Sequence, residues 1–190
     1  MNGQKNEVKT IAVYASSSEA IAPVYFDAAK ELGILLAQRN IRCINGAGYK
    51  GLMATLTDSM LANGGRVTGV IPRFMVDKGW KHPQLNEVIV TKGMHERKQW
   101  MAQHSDACIA LPGGLGTLDE LFEIIAWKQL DLYSGTVVIL NINHYYDPLL
   151  MLLKQGQKEQ FIPGTSVLWQ VAETVQEAIV LAATYPDVQE

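Results

Sequence analysis

Cysteine is scarce in this sequence: Cys43 and Cys108 are the only two. Each sits inside a short apolar run, IRCIN and DACIALP, with no second thiol nearby. That placement points to reduced thiols buried in a core rather than to a redox or metal role. Long hydrophobic runs are missing as well. No apolar stretch approaches the length that crosses a bilayer, and the polar start MNGQKNEVKT lacks the apolar centre of a secretory signal. A cytoplasmic location without a membrane partner is therefore expected. Nor is there an excess of positive charge, since 16 Lys and Arg face 19 Asp and Glu for a formal net charge of -3. Nucleic-acid binding, which needs a broad basic surface, is disfavoured on that ground.

What is present fits one globular domain. The chain has 190 residues, 48% of them hydrophobic and 18% charged, enough to bury a self-sufficient core but not to make two full domains. Residues 1–190 are read as a single domain, with residues 1–8 expected to be a flexible tail.

Short β-rich runs alternate with helical patterns throughout. Strands are predicted at Thr10–Ala15, Ile41–Asn45, Arg66–Ile71, Glu87–Val90, Ala107–Leu111 and Thr136–Leu140, with a further short run at Val167–Val171. Helices are predicted at Pro23–Arg39, Gly51–Asn63, Met94–Gln103, Gly116–Gln129, Asp147 to about Lys154, and Thr174–Thr184. Pro72–Gln84 has no clear period and reads as a loop or broken helix near the surface, of a length that often carries function. Strands apolar on both faces and separated by helices imply a Rossmann-like, doubly wound α/β domain with a mainly parallel sheet. Ligands of such sheets sit at the carboxyl ends of the strands.

Two glycine-rich turns stand where strands run into helices. In Leu111-Pro112-Gly113-Gly114-Leu115-Gly116-Thr117, glycines allow close backbone approach to an anion, and free amides at the helix start favour a phosphate there. Gly113, Gly114 and Gly116 are the candidate cradle, and the Thr117 hydroxyl adds a donor. A mere tight connection would also use glycine, but rarely three in four residues. The second turn, Asn45-Gly46-Ala47-Gly48-Tyr49-Lys50-Gly51, matches G-x-G-x-x-G. It follows the second strand, however, and the following strand ends without the acid that would hold a ribose 2′-OH; Asp77 lies too far along and beyond a proline. An NAD-dependent dehydrogenase is thus poorly supported. Ser16, Ser17 and Ser18 end the first strand on the same edge, where their hydroxyls could meet a ligand or cap the next segment.

Glu120 lies one helical turn beyond Thr117. It could serve chemistry beside a bound phosphate, or it could complete a Thr-x-x-Glu capping box with no catalytic part. Asp119 and Glu123 read as solvated or dipole-compensating acids. The cluster Met94-His95-Glu96-Arg97-Lys98 reads by itself as a solvated charged face. Gln99 stands where H-E-x-x-H needs its second histidine, and His82, His104 and His144 are isolated, so no metal site is expected. There is no G-x-S-x-G elbow and no Walker lysine, which leaves acyl transfer and ATP hydrolysis without a basis.

Five segments, GLM at Gly51–Met53, GVIP at Gly69–Pro72, MHERK at Met94–Lys98, PGGLGTLDE at Pro112–Glu120 and YYDPLL at Tyr145–Leu150, together resemble the LOG (LONELY GUY) phosphoribohydrolases. The similarity runs in order from about Thr10 to about Ile179. It implies a Rossmann-like homodimer with the active site near the subunit interface, cleaving the N-glycosidic bond of nucleoside 5′-monophosphates such as AMP or cytokinin riboside monophosphates. It implies no cofactor. Members of this family were once labelled lysine decarboxylases, but no local signature of a pyridoxal-binding lysine is found. By the same resemblance Arg97 and Glu120 are the catalytic pair. Lys98, Gly114, Gly116 and Thr117 fall on substrate-contacting positions, and Ser16, Ser17, Gly46, Gly48, Met94 and Gly113 complete the candidate binding set. Departures from the family pattern are NGAG in place of YGGG, Gly79 where an acid is common, and Ala126 where threonine is common. A nucleotide- or cofactor-binding carrier without turnover is the competing reading.

Overall fold

A computed structural model describes residues 8–164 and 167–183. Strands β1 (Thr10–Tyr14), β2 (Arg42–Asn45), β3 (Val67–Pro72), β4 (Glu87–Thr91), β5 (Ala107–Ala110), β6 (Thr136–Leu140) and β7 (Gln170–Ala172) form one sheet in the order β4-β3-β2-β1-β5-β6-β7. Every pairing is parallel. The inner strands β1, β5 and β6 are buried along their whole length, as expected of a sheet covered on both faces.

Helices α1 (Pro23–Gln38), α2 (Gly51–Ala62), α3 (Arg73–Asp77), α4 (Met94–Gln103), α5 (Leu115–Gln129), α6 (Asp147–Lys158) and α7 (Val175–Ala183) connect the strands. On one face Leu32 and Leu36 of α1, Leu56 and Met60 of α2 and Ile179 of α7 pack with Ile11, Val13 and Ile109. On the other, Met101 of α4, Leu121 and Ile124 of α5 and Leu153 of α6 pack with Tyr14, Cys108 and Ile139. Each such fully buried side chain contributes about 1.5–3 kcal/mol. Both cysteines are buried and free, and burial pushes each thiol up to about 12.

The loop expected at 72–84 holds the short helix α3, and an isolated antiparallel bridge joins Gly48 to Lys81. The α6 helix runs on to Lys158, and a 3-10 turn at Ile142–His144 precedes it. Val8, placed in the expected tail, is buried in the core; the rest of that tail, residues 1–7, lies outside the described residues, as does Thr184. Among the described residues no helix is long and apolar enough to cross a membrane.

From β1 the chain winds outward through β2, β3 and β4, then returns to place β5 on the other side of β1. The switch point therefore lies between β1 and β5, where sheets of this kind open a crevice at their carboxyl edge.

Candidate active site

At that edge the turns leaving β1, β2, β3 and β5 enclose a cavity of about 570 Å³, within the size range of small-ligand sites. The β5 turn and α5 supply Gly114, Gly116, Thr117 and Glu120, the β1 turn supplies Ser16 and Ser17, and the β2 turn supplies Gly46 and Gly48. Met94 and Arg97 reach it from α4. Gly113 and Lys98 are absent from its wall.

The α5 helix begins one residue earlier than its sequence pattern suggests. Gly114 is the N-cap, in extended conformation and without a side-chain cap. The first backward amide bond runs from Leu118 N to Gly114 O at 3.0 Å, so the amides of Leu115, Gly116 and Thr117 have no intrahelical acceptor. Thr117 is thus the third residue of the helix and Glu120 stands inside it, which removes the capping-box reading. Gly113 serves this turn by its lack of a side chain, because a Cβ there would collide with Oγ1 of Thr117.

Glu120 has a different partner. Its Oε1 accepts a hydrogen bond from Arg97 Nη2 at 2.6 Å, with side-chain exposures of only 8% for Arg97 and 7% for Glu120. Burial raises the Glu120 carboxyl above its ordinary value, and the opposing pull of Arg97 offsets only part of that rise. The guanidinium lies against Gly46, where a Cβ would strike Nη2; the NGAG turn leaves a berth for Arg97. The Nε of Arg97 is buried without a hydrogen-bond partner.

Lys98, next in sequence, turns the other way. Its Nζ lies 3.0 Å from Asp119 and 3.2 Å from Glu123. Burial pulls its pKa down, yet the hydrogen bonds that Lys98 donates to Asp119 and Glu123 outweigh this and leave it raised. Within MHERK, Arg97 and Lys98 are therefore buried and paired, whereas His95 and Glu96 remain exposed as a solvated face, and Asp119 and Glu123 are ion-pair partners rather than free acids. Two consecutive basic residues on α4 clasp three acids on α5.

The β1 turn is held closely over α2. Gly51 has φ +61°, and a Cβ on it would come within 2.5 to 2.8 Å of the backbone of Ser16, Ser17 and Ser18. Met53 N donates to Ser16 O at 3.3 Å. Sequence reasoning missed the opposite wall, made by Tyr49, Met53, Ile71, Met75 and Trp80. Trp80 reaches it because the loop before β4 folds back: Tyr49 N donates to Trp80 O at 3.2 Å and His82 N to Ala47 O at 2.8 Å. The ring of His82 adds a 3.0 Å contact to Asp58 on α2. An aromatic residue inside an aperiodic, proline-containing loop was the available signal. Among the described residues no group of His, Cys, Asp and Glu could hold a metal ion.

Fold and site define a single α/β domain of Rossmann type with a glycine turn that opens on unpaired helix amides and a buried acid–guanidinium pair in one crevice. A family model described as "Possible lysine decarboxylase" matches residues 53–181. The chain is 37% identical over 187 residues to the cytokinin riboside 5′-monophosphate phosphoribohydrolase LOG5 of Arabidopsis thaliana, covering 98% of this chain and 82% of the relative. It is 41% identical over 162 residues to LOG1 of the same plant, covering 85% and 76%. The chain belongs to the LOG family. Among solved structures, the molybdenum cofactor binding protein of Rippkaea orientalis superposes with a TM-score of 0.70 at 21% identity, covering 93% of this chain and 96% of that one; at that identity the likeness concerns the fold alone.

Proposed function

We propose that this protein hydrolyses the N-glycosidic bond of a nucleoside 5′-monophosphate, AMP or a cytokinin riboside monophosphate, to free base and ribose 5-phosphate. One observation carries the reading: the buried Arg97–Glu120 pair lies in the cavity wall one helical turn from three unpaired amides. The 5′-phosphate docks on the amides of Leu115, Gly116 and Thr117 and on the Thr117 hydroxyl. Its binding energy positions the ribose over Glu120. As the C1′–N bond breaks, positive charge grows at C1′, and ionised Glu120 stabilises it. Glu120 then takes a proton from the water whose oxygen bonds to C1′; the electron pair of the broken bond leaves with the base nitrogen, which is protonated from solvent, and Glu120 afterwards returns its proton to solvent. Arg97 holds the carboxylate in place through a charge-assisted bond, and its unpaired Nε is free to donate to the nucleotide.

The exposed apolar stripe on α5 supports a homodimer. Leu115, 87% exposed, lines the cavity mouth, and Phe122 and Leu130 continue along the same side of the helix. A second copy seated there would place the active site beside the subunit interface.

Purified protein incubated with AMP is expected to release adenine and ribose 5-phosphate in equal amounts, read by chromatography. Recovery of intact AMP from protein that binds it would replace this reading with that of a carrier.

A further inference from the structure

Tyr145 and Tyr146 lie between β6 and α6, outside the cavity wall, yet both reach the phosphate turn. The Tyr146 hydroxyl donates to Leu111 O at 2.7 Å, and the Tyr145 hydroxyl donates to Gly113 O at 2.7 Å. The two bonds act at different points. Pro112 has no amide hydrogen, so fixing the Leu111 carbonyl anchors the end of β5 and frees no donor. Across the trans Gly113–Gly114 peptide the Gly113 carbonyl and the Gly114 amide point in opposite directions. Holding that carbonyl on the tyrosine side therefore aims the Gly114 N–H toward the side of the cavity that Gly114 lines.

Tyr145 is itself held. Its ring packs edge-on against Tyr25 of α1 at 5.8 Å and 75°, and against Tyr146 at 5.0 Å and 77°. The segment behind it is pinned by Tyr146 N donating to Asn141 Oδ1 and by Asn141 Nδ2 donating to Asp147 Oδ1, each at 2.7 Å. Tyr146 is fully buried whereas Tyr145 is half-exposed. Loss of the Tyr145 hydroxyl alone thus leaves the ring packing and the buried anchor in place.

We infer that Tyr145 is a positioning residue for the anion cradle, its hydroxyl orienting the Gly113–Gly114 peptide so that the Gly114 amide joins those of Leu115 to Thr117 on a bound phosphate. This rests on the phosphate-docking part of the reading above, but not on turnover.

Tyr145→Phe in the full chain tests it. Affinity for ribose 5-phosphate, measured by calorimetry, is expected to fall about tenfold, in line with a lost hydrogen bond to a charged group. The KM for AMP should rise by a similar factor with kcat changed less than threefold, while affinity for adenosine and the melting temperature stay near wild type. Unchanged ribose 5-phosphate affinity, or a fall matched by an equal fall for adenosine, would overturn the assignment. Failure of wild-type protein to bind ribose 5-phosphate at all would overturn it too. Binding of ribose 5-phosphate without AMP cleavage would sink the hydrolase reading and leave the Tyr145 comparison intact.

Discussion

Replacing Glu120 with glutamine separates its chemical role from its structural one. The amide oxygen takes the place of Oε1, so Arg97 Nη2 keeps the acceptor it now meets at 2.6 Å. The bond stays charge-assisted through the guanidinium, about 1.5–3 kcal/mol, but the buried Arg97 loses its counter-charge. Against that loss, a carboxylate that burial already disfavours is removed. The net cost is then about 1 kcal/mol, or about 2–4 °C in melting temperature for a chain of this size, and the fold survives. Activity behaves differently. Glutamine neither takes a proton nor balances charge at C1′, and loss of a general base typically lowers kcat about 10²–10⁴-fold. Chromatographic assay of adenine release, with calorimetry on the same samples, reads both numbers. Turnover within tenfold of wild type in a folded Glu120→Gln protein would refute the assignment of this carboxylate.

Burial lifts the Glu120 carboxyl above the ordinary glutamate range and Arg97 restrains that rise. In the proposed mechanism the ionised form is the active one, so kcat/KM should climb with pH through a limb lying above the usual glutamate value, and Arg97→Met should move the limb of the residual activity higher still; a limb in the ordinary range, or a downward move, would contradict this. The folded state holds the Glu120 proton more tightly than the unfolded chain does, so this group's contribution to stability falls as pH rises from the ordinary value through the raised one. Gly51→Ala places a methyl at φ +61° and against the backbone of Ser16 to Ser18; the left-handed conformation alone costs about 1–2 kcal/mol, so the melting temperature should drop by at least a few degrees and the KM for AMP should rise. A wild-type melting curve would show that the β1 turn does not need this glycine.

The architecture was readable because β1, β5 and β6 are apolar on both faces and each is followed by a helical period, which leaves few alternatives to a parallel sheet. The strand-to-helix turn at Gly113 and Gly114 was readable for a similar local reason, glycines between a buried strand and a strong helix, while its phosphate role stands as a proposal. Glu120 was only half legible. Its spacing from Thr117 fits a capping box equally well, and the ambiguity ends only when the helix is seen to start at Leu115, which puts Thr117 inside it. Arg97 and Glu120 stand 23 positions apart, so no spacing rule pairs them; family resemblance singled them out, and the packing of α4 on α5 joins them. Lys98 shows the limit of position-by-position transfer, since it carries the same charge as its neighbour yet points to Asp119 and Glu123 rather than into the cavity. Trp80 and Met75 were missed because the loop before β4 has no period, and its course is set by a bridge between Gly48 and Lys81 that is far from local in sequence.

The central claim is that a 5′-phosphate sits on the amides that open α5 with the anomeric carbon facing Glu120. A crystal structure of Glu120→Gln soaked with AMP tests it most directly. The phosphate oxygens should lie within hydrogen-bond reach of the Leu115, Gly116 and Thr117 amides, with C1′ beside residue 120. A nucleotide bound with its phosphate elsewhere, or with C1′ turned away from α5, would contradict the account.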